Sequence, residues 1–155
     1  MAQNIDRAPS TTSASEPLKQ VYATSSPFEE KIGYYRAVRH GQHIFVSGTT
    51  AVDPASPSDA PQILFPGDAR QQTRVALQEC IRAVQALGGK GAENVVRVRM
   101  FVSRHEDCTA VGEGFSEVLG RSSQPGVGSA ATMVVVQGFV DDQMLVEVEV
   151  DAILE

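Results

Sequence analysis

Val95-Val96-Arg97-Val98-Arg99-Met100-Phe101-Val102 alternates between apolar and charged side chains over most of its length. Successive side chains of a β-strand point to opposite faces, so the alternation predicts a strand at 94–102 with one apolar face. That face is expected to hold Val96, Val98, Met100 and Val102. The other face carries Arg97 and Arg99, together with the large side chain of Phe101.

A second stretch near the C-terminus, 145–154, alternates in the same way. Its charged face is predicted to contain Glu147, Glu149 and Asp151, opposite Val146, Val148 and Val150. The apolar faces of both strands are expected to lie under helices. The charged faces are then either covered by another subunit, which complementary rows of arginine and glutamate favour, or solvated with cross-strand ion pairs.

Two helices are predicted from apolar residues that recur every three or four positions. The first follows Asp68, a favourable N-cap residue, and stops at Gly88-Gly89. Its buried face is expected to include Cys80. The second helix spans 106–119 and ends at Gly120.

A hairpin at 34–40 and 43–47 precedes the helices, and a strand at 130–136 precedes the last one. The resulting order is ββαβαββ, a single α+β domain with both helices on one sheet face. We assign this domain to 28–155. The segment 1–27 contains Ser, Thr, Ala and Pro with few large apolar groups, so we expect it to be a flexible arm.

Charge and composition exclude several classes of protein. The chain has 155 residues and a formal net charge of -6 without a basic run, which argues against nonspecific nucleic-acid binding. No apolar run approaches the roughly 20 residues of a membrane span. Cys80 and Cys108 lie outside any CxxC motif and are expected to be free thiols in a reducing compartment. We predict a cytoplasmic protein, with mitochondrial import as the minor alternative.

Five stretches, in chain order, resemble the motifs of the RidA/YjgF family. They are Gly33-Tyr34-Tyr35-Arg36-Ala37-Val38-Arg39, Ile44-Phe45-Val46-Ser47-Gly48-Thr49-Thr50, Gln72-Thr73-Arg74 with Ala76-Leu77, the strand at 95–102, and Leu145-Val146-Glu147-Val148-Glu149. The resemblance covers about residues 32–154. Each motif alone is weak, but jointly and in this order they are specific.

The resemblance implies a chorismate-mutase-like fold, three copies of which form a barrel-like homotrimer with ligand clefts between subunits. In members with known activity, the substrates are enamine or imine acids. Water attacks the imine carbon and ammonia leaves, giving a 2-keto acid. No metal or organic cofactor is implied, and the implied partners are other copies of the chain and a small metabolite such as an imino or keto acid.

The resemblance also assigns site residues. The family's glutamate corresponds to Glu147 and its tyrosine to Tyr35, which would be catalytic. Its Ser-Gly pair corresponds to Ser47 and Gly48, which would bind substrate. Each residue has an alternative structural interpretation: Tyr35 packing in the core, Gly48 ending a strand, and Glu147 belonging to an ion pair.

The family's carboxylate-binding arginine is missing. It should precede the fifth strand, where this chain has Ala131 followed by Thr132. Both would still line the substrate-binding region. A guanidinium binds a carboxylate through two parallel hydrogen bonds, and charged hydrogen bonds contribute about 1.5–3 kcal/mol, so its loss argues against standard imine deamination.

Four functions therefore remain. The first is a trimer that binds or processes an unknown metabolite without standard deaminase activity. The second is a hydrolase, an enamine/imine deaminase whose carboxylate anchor has moved to Arg99 or Arg36. The third is a noncatalytic interaction or chaperone-like protein. The fourth is an endoribonuclease, which the acidic charge disfavours.

Strand alternation places Arg99 and Glu147 on the same sheet face. Because burying either charge alone is expensive, we expect the two side chains to form an ion pair. The alternative is that Arg99 projects free into a cavity and holds a substrate carboxylate.

Overall fold

The two alternating stretches form adjacent antiparallel strands in the middle of one sheet. A computed structural model describes residues 17–155. The strands are β1 (Lys19–Tyr22), β2 (Ala37–His40), β3 (His43–Thr49), β4 (Val95–Val102), β5 (Ala130–Val135) and β6 (Val146–Ile153). The helices are α1 (Pro27–Ile32), α2 (Ala69–Ala86) and α3 (Cys108–Leu119), with 3-10 turns at Ala92–Asn94 and His105–Asp107.

The strand order across the sheet is β1-β2-β3-β6-β4-β5. Strands β4 and β5 run parallel, and the other neighbouring pairs run antiparallel. Helix α2 packs on β3 and β6, and α3 packs beside α2. The predicted α+β class and the order ββαβαββ from β2 to β6 are therefore confirmed, with the helices on one face of the sheet.

Local signals set the helix ends. The Asp68 side chain accepts a hydrogen bond from the Gln71 backbone N–H, which caps α2 as predicted. Gly88 takes a left-handed backbone with φ 95°, a conformation that favours glycine and stops the helix. The second helix begins at Cys108 rather than at 106, because the residues before it form a 3-10 turn.

One predicted core residue is not in the core. Val96 is 41% exposed, while Val95 is buried at 2%. The register between β4 and β6 shifts between Val95 and Arg97, which reverses the facing of side chains at the start of the strand. The prediction of Val98, Met100 and Val102 as core residues is confirmed.

Ordered structure begins earlier than the sequence predicts. Strand β1 pairs with β2 although it lies inside the range 1–27 assigned to a flexible arm, so that expectation was wrong for residues 19–22. The strand has two adjacent apolar residues, Val21 and Tyr22, after Lys19 and Gln20, and this pattern lacks the alternation that indicates a strand. The rest of that prediction concerns mainly residues 1–16, which lie outside the described residues.

A buried glutamine connects α2 to the start of β6. Gln72 is fully buried, and its Nε2 donates to the Gln143 and Phe65 carbonyl oxygens. Its Oε1 accepts from the Leu145 backbone N–H at 2.9 Å. These bonds satisfy polar groups that would otherwise be buried without partners, and they hold the end of β6 that carries Glu147.

Among residues 17–155, none of the helices is both long enough and apolar enough to cross a membrane.

Candidate functional site

A cavity of ≈ 670 Å³ opens beside the junction of β3 and β6. Its walls come from three parts of the chain: the segment 24–28 before and within α1, the end of β3 with the loop that follows, and the loop 138–140 before β6. Tyr34, Arg36 and Glu147 also line it. The cavity thus gathers the residues of the first, second and last family-like motifs.

A bulge in β3 shapes the cavity wall. Between the pairs Val46–Val150 and Thr49–Val148, β3 has two residues, Ser47 and Gly48, where β6 has one. The extra residue bends the strand and re-aims its polar groups. Ser47 Oγ donates to the Tyr35 carbonyl oxygen at 2.8 Å, which ties the bulge to the chain entering β2.

Gly48 makes room for the Glu147 carboxylate. A Cβ built at Gly48 would collide with Glu147 Oε1 and would lie 2.9 Å from its Cδ. A side chain at this position would therefore displace the carboxylate. Glycine at this position leaves space for the carboxylate in its observed place, and its φ is not positive.

Glu147 is a partly buried carboxylate on the cavity wall. Burial raises its pKa above the ordinary value, and the negative charge of Glu149 raises it further, while Arg36 acts in the opposite direction. Within the described part of the chain, the Glu147 side chain has neither a hydrogen bond nor a cation within ion-pair distance. Its oxygens are thus available to a ligand or a water molecule.

Arg36 is buried, and its Nε and Nη1 both have hydrogen-bond partners within the protein. Its Nε lies 2.8 Å from Glu29 Oε1, and its Nη1 donates to the Gly48 carbonyl and to Thr49 Oγ1, each at 2.8 Å. Glu29 in turn accepts from Thr24 N and Thr24 Oγ1, both at 2.7 Å. The guanidinium therefore holds the bulge, and its charge is compensated inside the protein.

Sequence reasoning did not identify Glu29. Its position in the short helix α1 gives no local sign that it is 4% exposed, because its partner Arg36 lies outside that helix. The only signal available was an acidic residue seven positions before an arginine.

The structure brings together three of the predicted site residues. Ser47, Gly48 and Glu147 line the cavity. Tyr35 is 48% exposed and lies outside it, whereas the neighbouring Tyr34 is part of the wall. The catalytic role of Tyr35 thus stays a prediction.

Ala131 and Thr132 lie elsewhere, on the edge strand β5. They pair with Val98 and Arg99 of β4, and both are exposed. Neither lines this cavity within one chain. Their substrate-binding role also stays a prediction.

The expected ion pair between Arg99 and Glu147 was wrong. Arg99 Nη1 lies 3.3 Å from Glu149 Oε2, and its Nη2 lies 3.0 Å from Asp151 Oδ2. The strand register explains this, since Arg99 stands opposite Glu149 while Glu147 stands opposite Phe101. Arg99 and Glu147 do share the face away from the helices, but Arg99 is not free in the cavity.

No group of three or more His, Cys, Asp or Glu side chains in the described range 17–155 is placed to hold a metal ion. The cavity wall itself offers the carboxylates of Glu147, Asp53 and Glu79, the Arg36 guanidinium, hydroxyl groups and apolar side chains.

Comparison with known proteins identifies the family of this chain. The family model described as Endoribonuclease L-PSP matches residues 24–154, nearly the whole described chain. The chain belongs to this family, which is also called the YjgF/RidA family. The resemblance found in the sequence motifs is confirmed.

Individual YjgF/RidA relatives cover most of the chain. An uncharacterized protein of Streptomyces coelicolor is 36% identical over 138 residues, 89% of this chain and 93% of the relative. A RutC family protein of Pyrococcus horikoshii is 24% identical over 138 residues, 89% of this chain and 100% of the relative. A YjgF/YER057c/UK114 family member from Mycobacterium tuberculosis has a similar structure, with TM-score 0.72, 30% identity, and coverage of 88% of this chain and 99% of that one.

Proposed function

We propose that this YjgF/RidA protein is a homotrimer that binds or processes a small metabolite in clefts between subunits, without standard imine deaminase activity. The family supports small-molecule binding or processing as the general role. The observation that carries the proposal is the pairing of an open cavity, lined by Ser47, Gly48 and Glu147, with an alanine at 131.

The missing arginine bears directly on chemistry. Imine hydrolysis needs a fixed cation for the substrate carboxylate, a positioned water and an acceptor for its proton. Glu147 suits the last role, because its carboxylate has no hydrogen-bond or ion-pair partner among residues 17–155 and its raised pKa brings it nearer to neutral pH. The cation is lacking at Ala131, and the guanidinium in the cavity is already bound to Glu29.

Exposed apolar groups support the assembly. Val134 and Val135 of edge strand β5 are 42% and 48% exposed, and Phe45 on β3 is 50% exposed. Large apolar side chains on sheet strands are costly in water and favour burial against another subunit. We also propose a cytoplasmic location, which suits a chain whose two cysteines are unpaired.

An imine assay tests the proposal. A dehydratase generates 2-aminoacrylate or 2-iminobutanoate, and formation of the keto acid is followed with and without the protein. We expect no acceleration by the unaltered chain and a gain of activity in Ala131→Arg. The matched control is Ala130→Arg on the neighbouring position of β5, whose side chain points to the other face. Acceleration by the unaltered chain would contradict the proposal.

A deaminase with a relocated anchor is the second candidate, and one observation favours Arg36 over Arg99 as that anchor. Arg36 lines the same cavity as Glu147, whereas Arg99 is bound by Glu149 and Asp151. If the unaltered protein is active, this candidate predicts that Arg99→Ala retains activity and Arg36→Lys loses most of it.

A further inference from the structure

We infer that the cavity takes a ligand bearing a protonated amine next to an apolar group, rather than a carboxylate, and that Glu29 sets this preference. The inference rests on the proposed small-molecule function of the cavity and names the chemical class of its ligand. It follows from how the charges of the cavity wall are partnered.

The positive charge of the cavity wall, on Arg36, is paired with Glu29, a buried residue that does not line the cavity. Arg36 is the one cation among the described lining residues, and Glu29 lies 2.8 Å from its Nε at a side-chain exposure of 3%. Two further acceptors, Gly48 O and Thr49 Oγ1, take its Nη1. A ligand carboxylate would have to compete with Glu29 for a charge that is already compensated.

The negative charge of the wall is not neutralised in the same way. Glu147 and Asp53 both line the cavity, and neither has a cation within ion-pair distance in residues 17–155. Asp53 Oδ1 instead accepts from the Ala55 backbone N–H at 2.9 Å. Glu79, the third acidic lining residue, is paired with Arg82. The cavity therefore presents unbalanced carboxylates to a ligand.

Glu147 has the most to gain from a cationic ligand. A carboxylate partly removed from water is stabilised when a hydrogen-bonding cation binds it. A ligand carboxylate at the same place would be repelled by the charge of Glu147. Burial and Glu149 already disfavour its ionised form. A protonated amine offers the missing charge and up to three donors in one compact group.

The remaining walls call for an apolar body. Phe28, Phe139 and Met144 line the cavity, with the highly exposed Val140 at its rim. Apolar surface on the ligand would cover these groups and gain about 25 cal/mol for each Å² removed from water. The ligand class is therefore a primary or secondary amine attached to an aromatic or branched apolar group.

Three probes with one apolar body test the inference on the full chain in its native assembly. They are 2-phenylethylamine, 2-phenylethanol and 3-phenylpropanoate, titrated at low salt while the backbone amide signals of Gly48 and Gly138 are followed by NMR. We expect the amine to bind at least about tenfold more tightly than the carboxylate, the ratio that a single charged hydrogen bond supplies. The alcohol should lie between them.

Two variants test whether Glu147 and Glu29 cause the preference for an amine. Glu147→Gln should remove most of the amine's advantage, and Glu29→Gln should raise the affinity for 3-phenylpropanoate by leaving the Arg36 charge uncompensated. Glu30→Gln is the control, because it makes the same change at the adjacent, exposed position of α1. If Glu29→Gln does not fold, the comparison of Glu147→Gln with Glu30→Gln still tests whether the cavity prefers an amine to a carboxylate through Glu147.

The outcomes separate this inference from the proposed function. Binding of 3-phenylpropanoate as tight as that of the amine, with shifts at Gly48 and Gly138, would overturn the charge preference and leave the small-molecule site standing. If Glu147→Gln still preferred the amine, Glu147 would not be the residue that binds it, and this part of the inference would be overturned. Absence of binding by all three probes would count against both the inference and the proposed function.

Discussion

Glu29 and Arg36 form an ion pair in the interior of the protein, with 2.8 Å between Oε1 and Nε and side-chain exposures of 3% and 9%. The pair joins helix α1 to the segment that enters β2, and through Gly48 O it also joins the bulge of β3. The N-terminal segment is thereby built into the cavity wall. Breaking the pair should affect stability as well as binding.

Replacing Glu29 by alanine should destabilise the fold by about 3–5 kcal/mol, because it leaves a buried guanidinium without its partner. Glu30→Ala, the same change at an exposed position of α1, should cost little. Urea unfolding followed by circular dichroism measures both. Equal stability of the two variants would show that the pair contributes little.

Gly114 lies where α3 packs closely against α2, whereas Gly112 of the same helix has free space around it. A Cβ at Gly114 would lie 2.6 Å from the Arg70 carbonyl oxygen and 2.9 Å from Thr73 Cβ, whereas one at Gly112 would meet Met133 Cε at 4.0 Å. Gly114→Ala should therefore destabilise the protein by about 1–3 kcal/mol through overpacking. Gly112→Ala should stabilise it by up to about 1 kcal/mol through helix propensity. Thermal unfolding that ranks the two variants in the opposite order would contradict this packing.

Glu147 should make the fold less stable as pH rises. Its pKa in the folded protein is raised above the ordinary value of 4.5, so ionisation is harder in the folded than in the unfolded chain. The resulting cost is absent below pH 4.5, grows as pH rises from there, and is complete above the folded pKa. Glu147→Gln should thus be more stable than the unaltered protein at pH 7.5, with a smaller difference at pH 4. Urea unfolding at both values tests this, and a less stable variant at pH 7.5 would show that the carboxylate has a stabilising partner.

The two cysteines should differ sharply in reactivity. Cys80 is fully buried in the core, as predicted, and burial raises the pKa of its thiol to about 12, although a hydrogen bond with Thr49 and the charge of Arg36 act against this. Cys108 is partly exposed. A thiol reagent at pH 8 should modify only Cys108 in the native protein and both residues after unfolding. If the native Cys108→Ser variant were labelled as fast as the unaltered protein, the core around Cys80 would have to open readily.

Helices α2 and α3, the strands from β2 to β6 and the sheet face that holds the core could all be predicted, because their signals are local. Alternation in β4 and β6, the cap at Asp68 and the stop at Gly88 each depend on a few residues close in sequence. The same reasoning failed at Val96, where a register shift reverses the facing, and at β1, a short strand that is stable because β2 lies beside it. Neither a bulge nor a pairing partner leaves a reliable local pattern.

The amino-acid order alone determined the family, the two faces of the sheet, the candidates Ser47, Gly48 and Glu147, and the absence of an arginine at 131. The tertiary structure decided which charges meet: Arg36 with Glu29, and Arg99 with Glu149 and Asp151 instead of Glu147. The physical reason is distance. Electrostatic and hydrogen-bond energies depend on separations of a few ångström between residues far apart in the chain, and those separations exist only once strand order, register and the bulge at Ser47–Gly48 are set.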